Sequence, residues 1–150
     1  MPLSPKAHLR IRGEGTKAVI ILDKTPFYAE GGGQVCDKGF MSTIVESEDE
    51  KIFDAEVLKV EKKDGVFYHT VQVLSNEIKV GDEVLLAVDP EKRHCTERNH
   101  TATHLLQKAL REIVGTHVEQ AGSMVNENVL RFDFSHFEAV TPTQLQEIEA

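Results

Sequence analysis

The hydrophobic pattern of the chain before Pro90 is that of short β-strands. Apolar and β-branched residues alternate with polar ones, or form short runs, over residues 7–12, 17–22, 40–46, 53–60, 66–74 and 84–88. Such segments, separated by turns, are typical of antiparallel strands, and several of them at this spacing predict a small β-barrel. The clearest turn is Lys62-Lys63-Asp64-Gly65, because Gly tolerates the positive φ of a tight hairpin.

The pattern changes at Asp89-Pro90, a combination that favours the start of a helix. Apolar residues then recur at steps of three and four, which predicts a long helix over residues 91–114, ended by Gly115. Asn99 is a candidate for a break within it. The residues expected on the buried face of this helix are Ala102, Leu105, Leu106, Ala109, Leu110 and Ile113.

Two further strands are predicted over residues 117–126 and 129–134, joined by a turn at Glu127-Asn128. Thr141-Pro142-Thr143-Gln144 has the form of a capping box and predicts a second helix. The predicted fold is therefore α+β: a small antiparallel β-barrel (residues 1–89), then the first part of an α/β domain (residues 90–150) led by the long helix. Because the second helix has barely begun at Ala150, we expect this domain to be incomplete.

The composition indicates an ordinary globular protein, with 150 residues, 40% of them hydrophobic and 28% charged. No apolar run reaches membrane-spanning length, and the N-terminus does not resemble a signal peptide, so we expect no membrane partner. Cys36 and Cys95 form no Cys-x-x-Cys motif. Free thiols fit a reducing compartment, which favours a cytoplasmic location.

The net charge of −8 argues against a broad nucleic-acid surface. Residues 92–111, however, carry five Lys and Arg residues against one Glu. Within this strip Arg98, Lys108 and Arg111 are candidate phosphate contacts. A solvated helix face explains the same charges, and the alternative stays open.

His100 and His104 are four residues apart in the predicted helix, so both imidazoles lie on one side of it. Two neutral imidazoles placed in this way can bind one metal ion. Two ordinary surface histidines remain the alternative. The segment His-Thr-Ala-Thr-His lacks the Glu base of zinc proteases, which argues against that function. The other histidines show no informative spacing, and we assign His136 to packing or hydrogen bonding.

Three consecutive glycines, Gly31, Gly32 and Gly33, form the other unusual segment. The sequence around them is neither a Walker A loop nor a dinucleotide-binding fingerprint. A tight connection in the barrel is one explanation for them. The other is a set of backbone amides that contact a phosphate or a nucleotide edge.

Four motifs occur in a fixed order: Thr-Pro-Phe-Tyr-Ala-Glu-Gly-Gly-Gly-Gln from Thr25, Arg-Asn-His-Thr-Ala-Thr-His-Leu-Leu from Arg98, Val-Glu-Gln-Ala-Gly-Ser from Val118, and Leu-Arg-Phe-Asp-Phe-Ser-His from Leu130. Together they resemble the editing region of alanyl-tRNA synthetases and of their free-standing AlaX relatives. The resemblance extends from about residue 17 to residue 136.

The resemblance implies hydrolysis of tRNA(Ala) that has been mischarged with serine or glycine, with the acceptor end of that tRNA as partner. It implies a zinc ion held by His100 and His104 together with a later Cys-x-x-x-His motif. It also implies an editing role for Gln120 and a pocket lined by Thr103 and Ser123. In whole synthetases alanine is ligated to tRNA(Ala) with ATP and magnesium, in a catalytic domain that this sequence does not contain.

The sequence departs from the pattern because no Cys-x-x-x-His follows His104, so only two of four zinc ligands are present. We therefore predict a chain truncated before the second half of the zinc site, with weak or absent zinc binding and no activity alone. A free-standing AlaX-type deacylase and a non-catalytic tRNA-binding module remain alternatives. So do structural roles for three residues: a helix back-bond for Thr103, a strand surface position for Gln120 and a turn for Ser123.

Overall fold

The computed structural model describes residues 10–150, with side chains from residue 13 onwards. The elements in this part of the chain are β1 (Arg10–Arg12), β2 (Lys17–Leu22), β3 (Gly39–Thr43), β4 (Asp54–Lys63), β5 (Val66–Ser75), β6 (Glu77–Lys79), β7 (Val84–Val88), α1 (Pro90–Ile113), β8 (Gln120–Val125), β9 (Leu130–Phe134) and α2 (Pro142–Glu149). This mixture of antiparallel strands and two helices confirms the α+β class. No helix among these residues is long and apolar enough to cross a membrane.

The chain forms two compact units. The first contains the described residues up to Gly31 together with Cys36–Arg93, and the second contains Gly32–Val35 and His94–Ala150. The short segment Gly32–Val35 is thus part of the second unit, although the rest of that unit begins only at His94. The predicted domains, residues 1–89 and 90–150, stay a prediction.

The first unit is built on a five-stranded antiparallel sheet with the strand order β2-β5-β4-β3-β7, and β1 pairs separately with β6. Within the described part of this unit no pairing joins the edge strands β2 and β7, so the closed barrel stays a prediction. The predicted hairpin turn is confirmed: Asp64 and Gly65 have φ values of 51° and 79° and join β4 to β5. Positive φ at both central residues is the type I′ geometry that suits the twist of a hairpin.

One apolar cluster holds the first unit together, and its members come from the inward faces of the strands and from the loops before β3 and β4. They are Ile20, Leu22, Phe27, Cys36, Met41, Phe53, Ala55, Val57, Val60, Val71, Val73, Ile78 and Val84. The alternation of buried and half-buried positions along β5 explains why the period-two pattern identified this strand.

The strand predictions for the first unit are confirmed for β2 and β7 and shifted elsewhere. The strand predicted over residues 40–46 is β3, which ends at Thr43. β6 was not predicted, because three residues are too few to show a period. Of the strand predicted over residues 7–12, residues 7–9 lie outside the described residues, and the remainder is β1.

In the second unit, α1 is continuous through Asn99, so the suggested break is wrong. The Asn99 side chain donates to the Asn126 carbonyl at 2.8 Å, which places this side of α1 against the end of β8. Thr96, Thr103 and Leu110 lie on the same side and are the buried residues of the helix. Leu105 lies on the opposite side and is 65% exposed, so its predicted burial is wrong.

The strands β8 and β9 form an antiparallel hairpin with a register shift between Gln120 and Gly122. The predicted turn between them is confirmed, and the Asn126 side chain accepts hydrogen bonds from the amides of Asn128 and Val129. The predicted capping box is confirmed. Thr141 Oγ1 accepts a hydrogen bond from the Gln144 amide, and the Gln144 side chain accepts one from the Thr141 amide.

Candidate functional site

The two histidines of α1 lie side by side on its exposed surface. The ring centres of His100 and His104 are 5.0 Å apart and the ring planes are nearly perpendicular, at 89°. Among the described residues no group of three or more His, Cys, Asp and Glu side chains is arranged to hold a metal ion. The two imidazoles therefore offer part of the donor set that a tetrahedral zinc ion requires, and their role as ligands stays a prediction.

One depression in the second unit joins a predicted zinc ligand to two predicted phosphate contacts. It has a volume of about 400 Å³. Its lining consists of His104, Gln107, Lys108, Arg111, Glu112 and Thr116. His104, Lys108 and Arg111 follow one another at steps of four and three, so α1 presents them on one face.

The basic strip over residues 92–111 is partly neutralised. Three of its five cations have a carboxylate partner, and the pairs are Lys92 with Asp89 (3.9 Å), Arg93 with Asp37 (2.5 Å) and Lys108 with Glu112 (3.7 Å). The pair in the depression is well exposed on both sides, so it stabilises little and is readily exchanged for another anion.

Arg98 differs from the two cations of the depression. Its Nη2 lies 3.1 Å from the Sγ atom of Cys95, one turn back on α1. A rotation of 100° per residue turns Arg98 about 140° away from Arg111 around the helix axis. The three predicted phosphate contacts therefore do not form one patch.

Thr103 and Gln120 occupy contrasting positions. Thr103 is buried, and its Oγ1 donates to the Asn99 carbonyl at 3.0 Å, which is the back-bond considered above. Its oxygen can still accept a hydrogen bond. Gln120 begins β8, is exposed, and its side chain makes no hydrogen bond with the residues that the structure describes.

Ser123 lies within β8 and contacts the glycine segment, so a turn-forming role for it is wrong. A Cβ atom on Gly33 would lie 2.5 Å from both the carbonyl oxygen and the Oγ of Ser123. Gly33 has a φ of 82°, and its carbonyl accepts from the Val125 amide at 2.8 Å. Close approach to β8 therefore explains why residue 33 is glycine.

The other two glycines are not constrained in this way. A Cβ atom on Gly31 would meet its nearest neighbour, a backbone oxygen, only at 4.0 Å, and one on Gly32 would meet nothing within that distance. Gly32 nevertheless has a φ of 60°, which favours glycine in the turn. A role for the three glycines in binding RNA stays a prediction.

The structure thus brings together His100 with His104, His104 with Lys108 and Arg111, and Gly33 with Ser123. No hydrogen bond or ion pair among the described residues links either histidine to Thr103, Gln120 or Ser123.

The assignment of His136 to packing or hydrogen bonding is confirmed, whereas sequence reasoning missed its partner His117 and the environment of His69. His69 is fully buried in the first unit, where its ring nitrogens contact the Ile20 carbonyl at 3.2 Å and Thr25 Oγ1 at 2.8 Å. Burial lowers the pKa of His69 below its ordinary value of 6.5, so the ring is neutral at pH 7. In the second unit His117 and His136 contact each other through their ring nitrogens at 2.8 Å.

Comparison with known proteins gives one consistent family. A family model described as tRNA synthetases class II (A) matches residues 6–92. An alanine–tRNA ligase from Fusobacterium nucleatum is 53% identical over 133 residues, which are 89% of this chain and 14% of that protein. Alanine–tRNA ligases from Petrotoga mobilis and Alkaliphilus metalliredigens are 47% and 46% identical over 137 and 142 residues, covering 91% and 94% of this chain and 15% of each relative.

The chain therefore spans about one seventh of the length of these curated relatives. The family model covers more than half of the chain, and all three relatives are alanine–tRNA ligases. This chain belongs to the class II (A) tRNA synthetase family, among the alanine–tRNA ligases.

Proposed function

We propose that this chain carries part of the zinc-dependent editing site of an alanine–tRNA ligase, which hydrolyses Ser-tRNA(Ala) or Gly-tRNA(Ala). ATP- and magnesium-dependent ligation of alanine to tRNA(Ala) is proposed for the whole protein. The observation that carries the proposal is the depression on α1, in which His104 adjoins Lys108 and Arg111. A zinc-dependent site for an aminoacyl ester on RNA would combine metal ligands with cations for the adjoining phosphates.

The chemistry expected of the histidines is metal ligation. His100 and His104 would hold zinc together with two ligands of a Cys-x-x-x-His motif that this sequence lacks. Bound zinc supplies Lewis-acid chemistry at the ester or at a water molecule. The part of the chain described here would then hold the zinc ion on α1 and leave the remaining ligands to a further segment.

Lys108 and Arg111 would bind the phosphates at the acceptor end of the tRNA. Lys108 must first leave Glu112, and this exposed pair at 3.7 Å costs little to break. Arg111 offers a planar fork of donors that matches two phosphate oxygens. Their position beside His104 would bring the terminal ribose close to the zinc ligands.

Discrimination between serine and alanine would depend on hydroxyl groups. Because the Thr103 hydroxyl already donates to the Asn99 carbonyl, it can only accept a hydrogen bond from the substrate. Ser123 can both donate and accept. A site that bonds the serine hydroxyl loses these bonds with alanine and so rejects it strongly, whereas an apolar alanine site excludes serine only weakly.

Gln120 is proposed to orient water or substrate. Its amide is neutral at every accessible pH, so it does not take up the proton of the attacking water. Its exposed side chain, which has no hydrogen-bond partner among the described residues, is free for such a contact. The free thiols Cys36 and Cys95 support the proposal of a cytoplasmic location.

Zinc content and Ser-tRNA(Ala) deacylation test the proposal, measured on this chain and on one extended through a Cys-x-x-x-His segment. We expect stoichiometric zinc and hydrolysis only in the longer chain, and loss of hydrolysis in His100→Ala and Gln120→Ala. His94→Ala is the matched control, since this histidine of α1 is also exposed and its ring contacts the Glu97 carboxylate rather than a second histidine.

Two other outcomes would replace the proposal. Hydrolysis by the present chain alone, at the rate of the longer one, would favour a free-standing deacylase of the AlaX type. Zinc and tRNA binding by the longer chain without any hydrolysis would show a non-catalytic RNA-binding module.

A further inference from the structure

The β8–β9 hairpin contains a β-bulge at its open end. Gln120 is paired with Phe134 on β9. The next pair along the hairpin joins Gly122 to Asp133, so Ala121 has no partner within the described strand β9. One extra residue in one strand of an antiparallel pair moves the side chains on one side of it to the face opposite to the one that regular alternation gives.

This bulge gives Gln120 and Ser123 a common face of the hairpin. Residues directly opposite each other in an antiparallel pair project to the same face. Gln120 is opposite Phe134, and Ser123 is opposite Phe132. The two phenylalanines are alternate residues of β9 and share one face, where their ring centres are 6.2 Å apart. In a regular strand the spacing of three residues would place Gln120 and Ser123 on opposite faces.

The other face of the hairpin carries a different set of side chains. Arg131 Nη2 and Asp133 Oδ2 form an ion pair there, at 3.2 Å. A Cβ atom on Gly122 would lie 2.9 Å from Asp133 Oδ2, so residue 122 also faces this ion pair. The charged face is therefore distinct from the face of Gln120 and Ser123.

The common face combines two polar side chains with an apolar floor. Gln120 is exposed and Ser123 is half-buried, and the rings of Phe132 and Phe134 are half-buried beside them. Gln120 and Ser123 belong to neighbouring rows of this face, and one such row follows the next by about 6.8 Å. Side chains that begin this close together can contact the same small group. The rings limit the access of water, which strengthens hydrogen bonds made there.

We propose that Gln120 and Ser123 contact the same aminoacyl group from this face, and that the bulge at Ala121 positions them together. The inference rests on the editing function proposed above. Ser123 would bond the hydroxyl of a seryl group, and Gln120 would orient the attacking water or the ester carbonyl. Phe132 and Phe134 would form the floor beneath that group.

Two variants that shift one residue test the common face. Both are measured as Ser-tRNA(Ala) hydrolysis by the chain extended through a Cys-x-x-x-His segment. Deletion of Ala121 leaves Gln120 two residues from Ser123, so an unbroken ladder gives them the same face, and hydrolysis should stay within about tenfold of the unsubstituted rate. The double variant Gln120→Ala/Ala121→Gln moves the amide to the unpaired position and should be as inactive as Gln120→Ala.

Insertion of a second alanine after Ala121 is the matched control for the deletion. It also changes the length of β8 by one residue, but it moves Gln120 one row further from Ser123. We therefore expect hydrolysis to be lost. A general sensitivity of the hairpin to its length would instead affect the deletion and the insertion alike.

Nuclear Overhauser effects in the present chain cover the case in which a variant does not fold. The side-chain amide protons of Gln120 should contact the Phe134 ring, and the β-protons of Ser123 should contact the Phe132 ring. Absence of both contacts would overturn the proposal. So would activity of the Gln120→Ala/Ala121→Gln variant, or its loss in a folded Ala121 deletion. If the unsubstituted extended chain hydrolyses no Ser-tRNA(Ala), the proposed function fails and this inference fails with it; with that hydrolysis present, the other results refute this inference alone.

Discussion

The ion pair between Arg93 and Asp37 allows a quantitative test of what holds the first unit together. Asp37 is nearly buried, with its side chain 7% exposed, and its carboxylate lies 2.5 Å from Arg93 Nη2. The same Nη2 donates to the Pro26 carbonyl at 2.8 Å, and the Tyr28 amide donates to Asp37 at 2.7 Å. One guanidinium thus fixes both the carboxylate and the start of the loop before it.

Replacement of Arg93 by Ala leaves a nearly buried carboxylate with one backbone donor. Breaking a fully buried pair costs about 3–5 kcal/mol, because the remaining charge is uncompensated. Arg93 is 35% exposed, so water can partly replace it, and we expect a loss of about 2–3 kcal/mol. Since Asp37→Asn removes the charge that Arg93 compensates, the double variant should be destabilised by less than the sum of the two single ones.

The assay is urea unfolding followed by tyrosine fluorescence. The chain has no Trp, and both of its tyrosines, Tyr28 and Tyr68, lie in the first unit, so the signal reports that unit alone. Lys59→Ala is the control, because its ion pairs are exposed and should not move the midpoint measurably. A loss below about 0.5 kcal/mol for Arg93→Ala, or strictly additive effects, would refute the reasoning.

Three further predictions concern single positions. Burial lowers the pKa of His69, so below pH 6.5 the unfolded chain binds a proton that the folded chain does not. The free energy of unfolding should therefore fall as the pH drops below 6.5, by up to about 1.4 kcal/mol per pH unit. Urea titrations at several pH values should show this slope in the unsubstituted chain and not in His69→Gln. Gly33→Ala combines a left-handed φ with a clash against Ser123, so thermal unfolding should show a loss of about 1–3 kcal/mol, against no more than about 0.5 kcal/mol for Gly31→Ala. Thr141→Ala should cost α2 about 1 kcal/mol, seen as faster amide exchange confined to that helix.

Local patterns predicted most of the secondary structure of this chain. The helix start at Pro90, the turn at Asp64-Gly65 and the capping box at Thr141 each depend on a few neighbouring residues, and each was confirmed. The side-by-side placement of His100 and His104 followed in the same way from the pitch of a helix.

Features that depend on distant partners could not be predicted. The three-residue strand β6 exists because β1 pairs with it, and no period reveals such a short element. The contact between His117 and His136 depends on the register of the β8–β9 hairpin, and the pairing of Arg93 with Asp37 joins positions 56 residues apart. Apolar spacing alone favoured burial of Leu105, whereas the bond from Asn99 to Asn126 turns the other side of α1 inward.

The place of Gly32–Val35 in the second unit has a consequence for how the chain folds. Val35 and Val125 are joined by a backbone hydrogen bond of 3.0 Å across ninety residues, so completing this part of the structure requires closure of a very long loop. Contacts of such high sequence separation slow folding. During synthesis, residues 32–35 leave the ribosome long before their partners on β8 have been made. This segment can therefore form its backbone hydrogen bonds to β8 only after most of the chain has been synthesised.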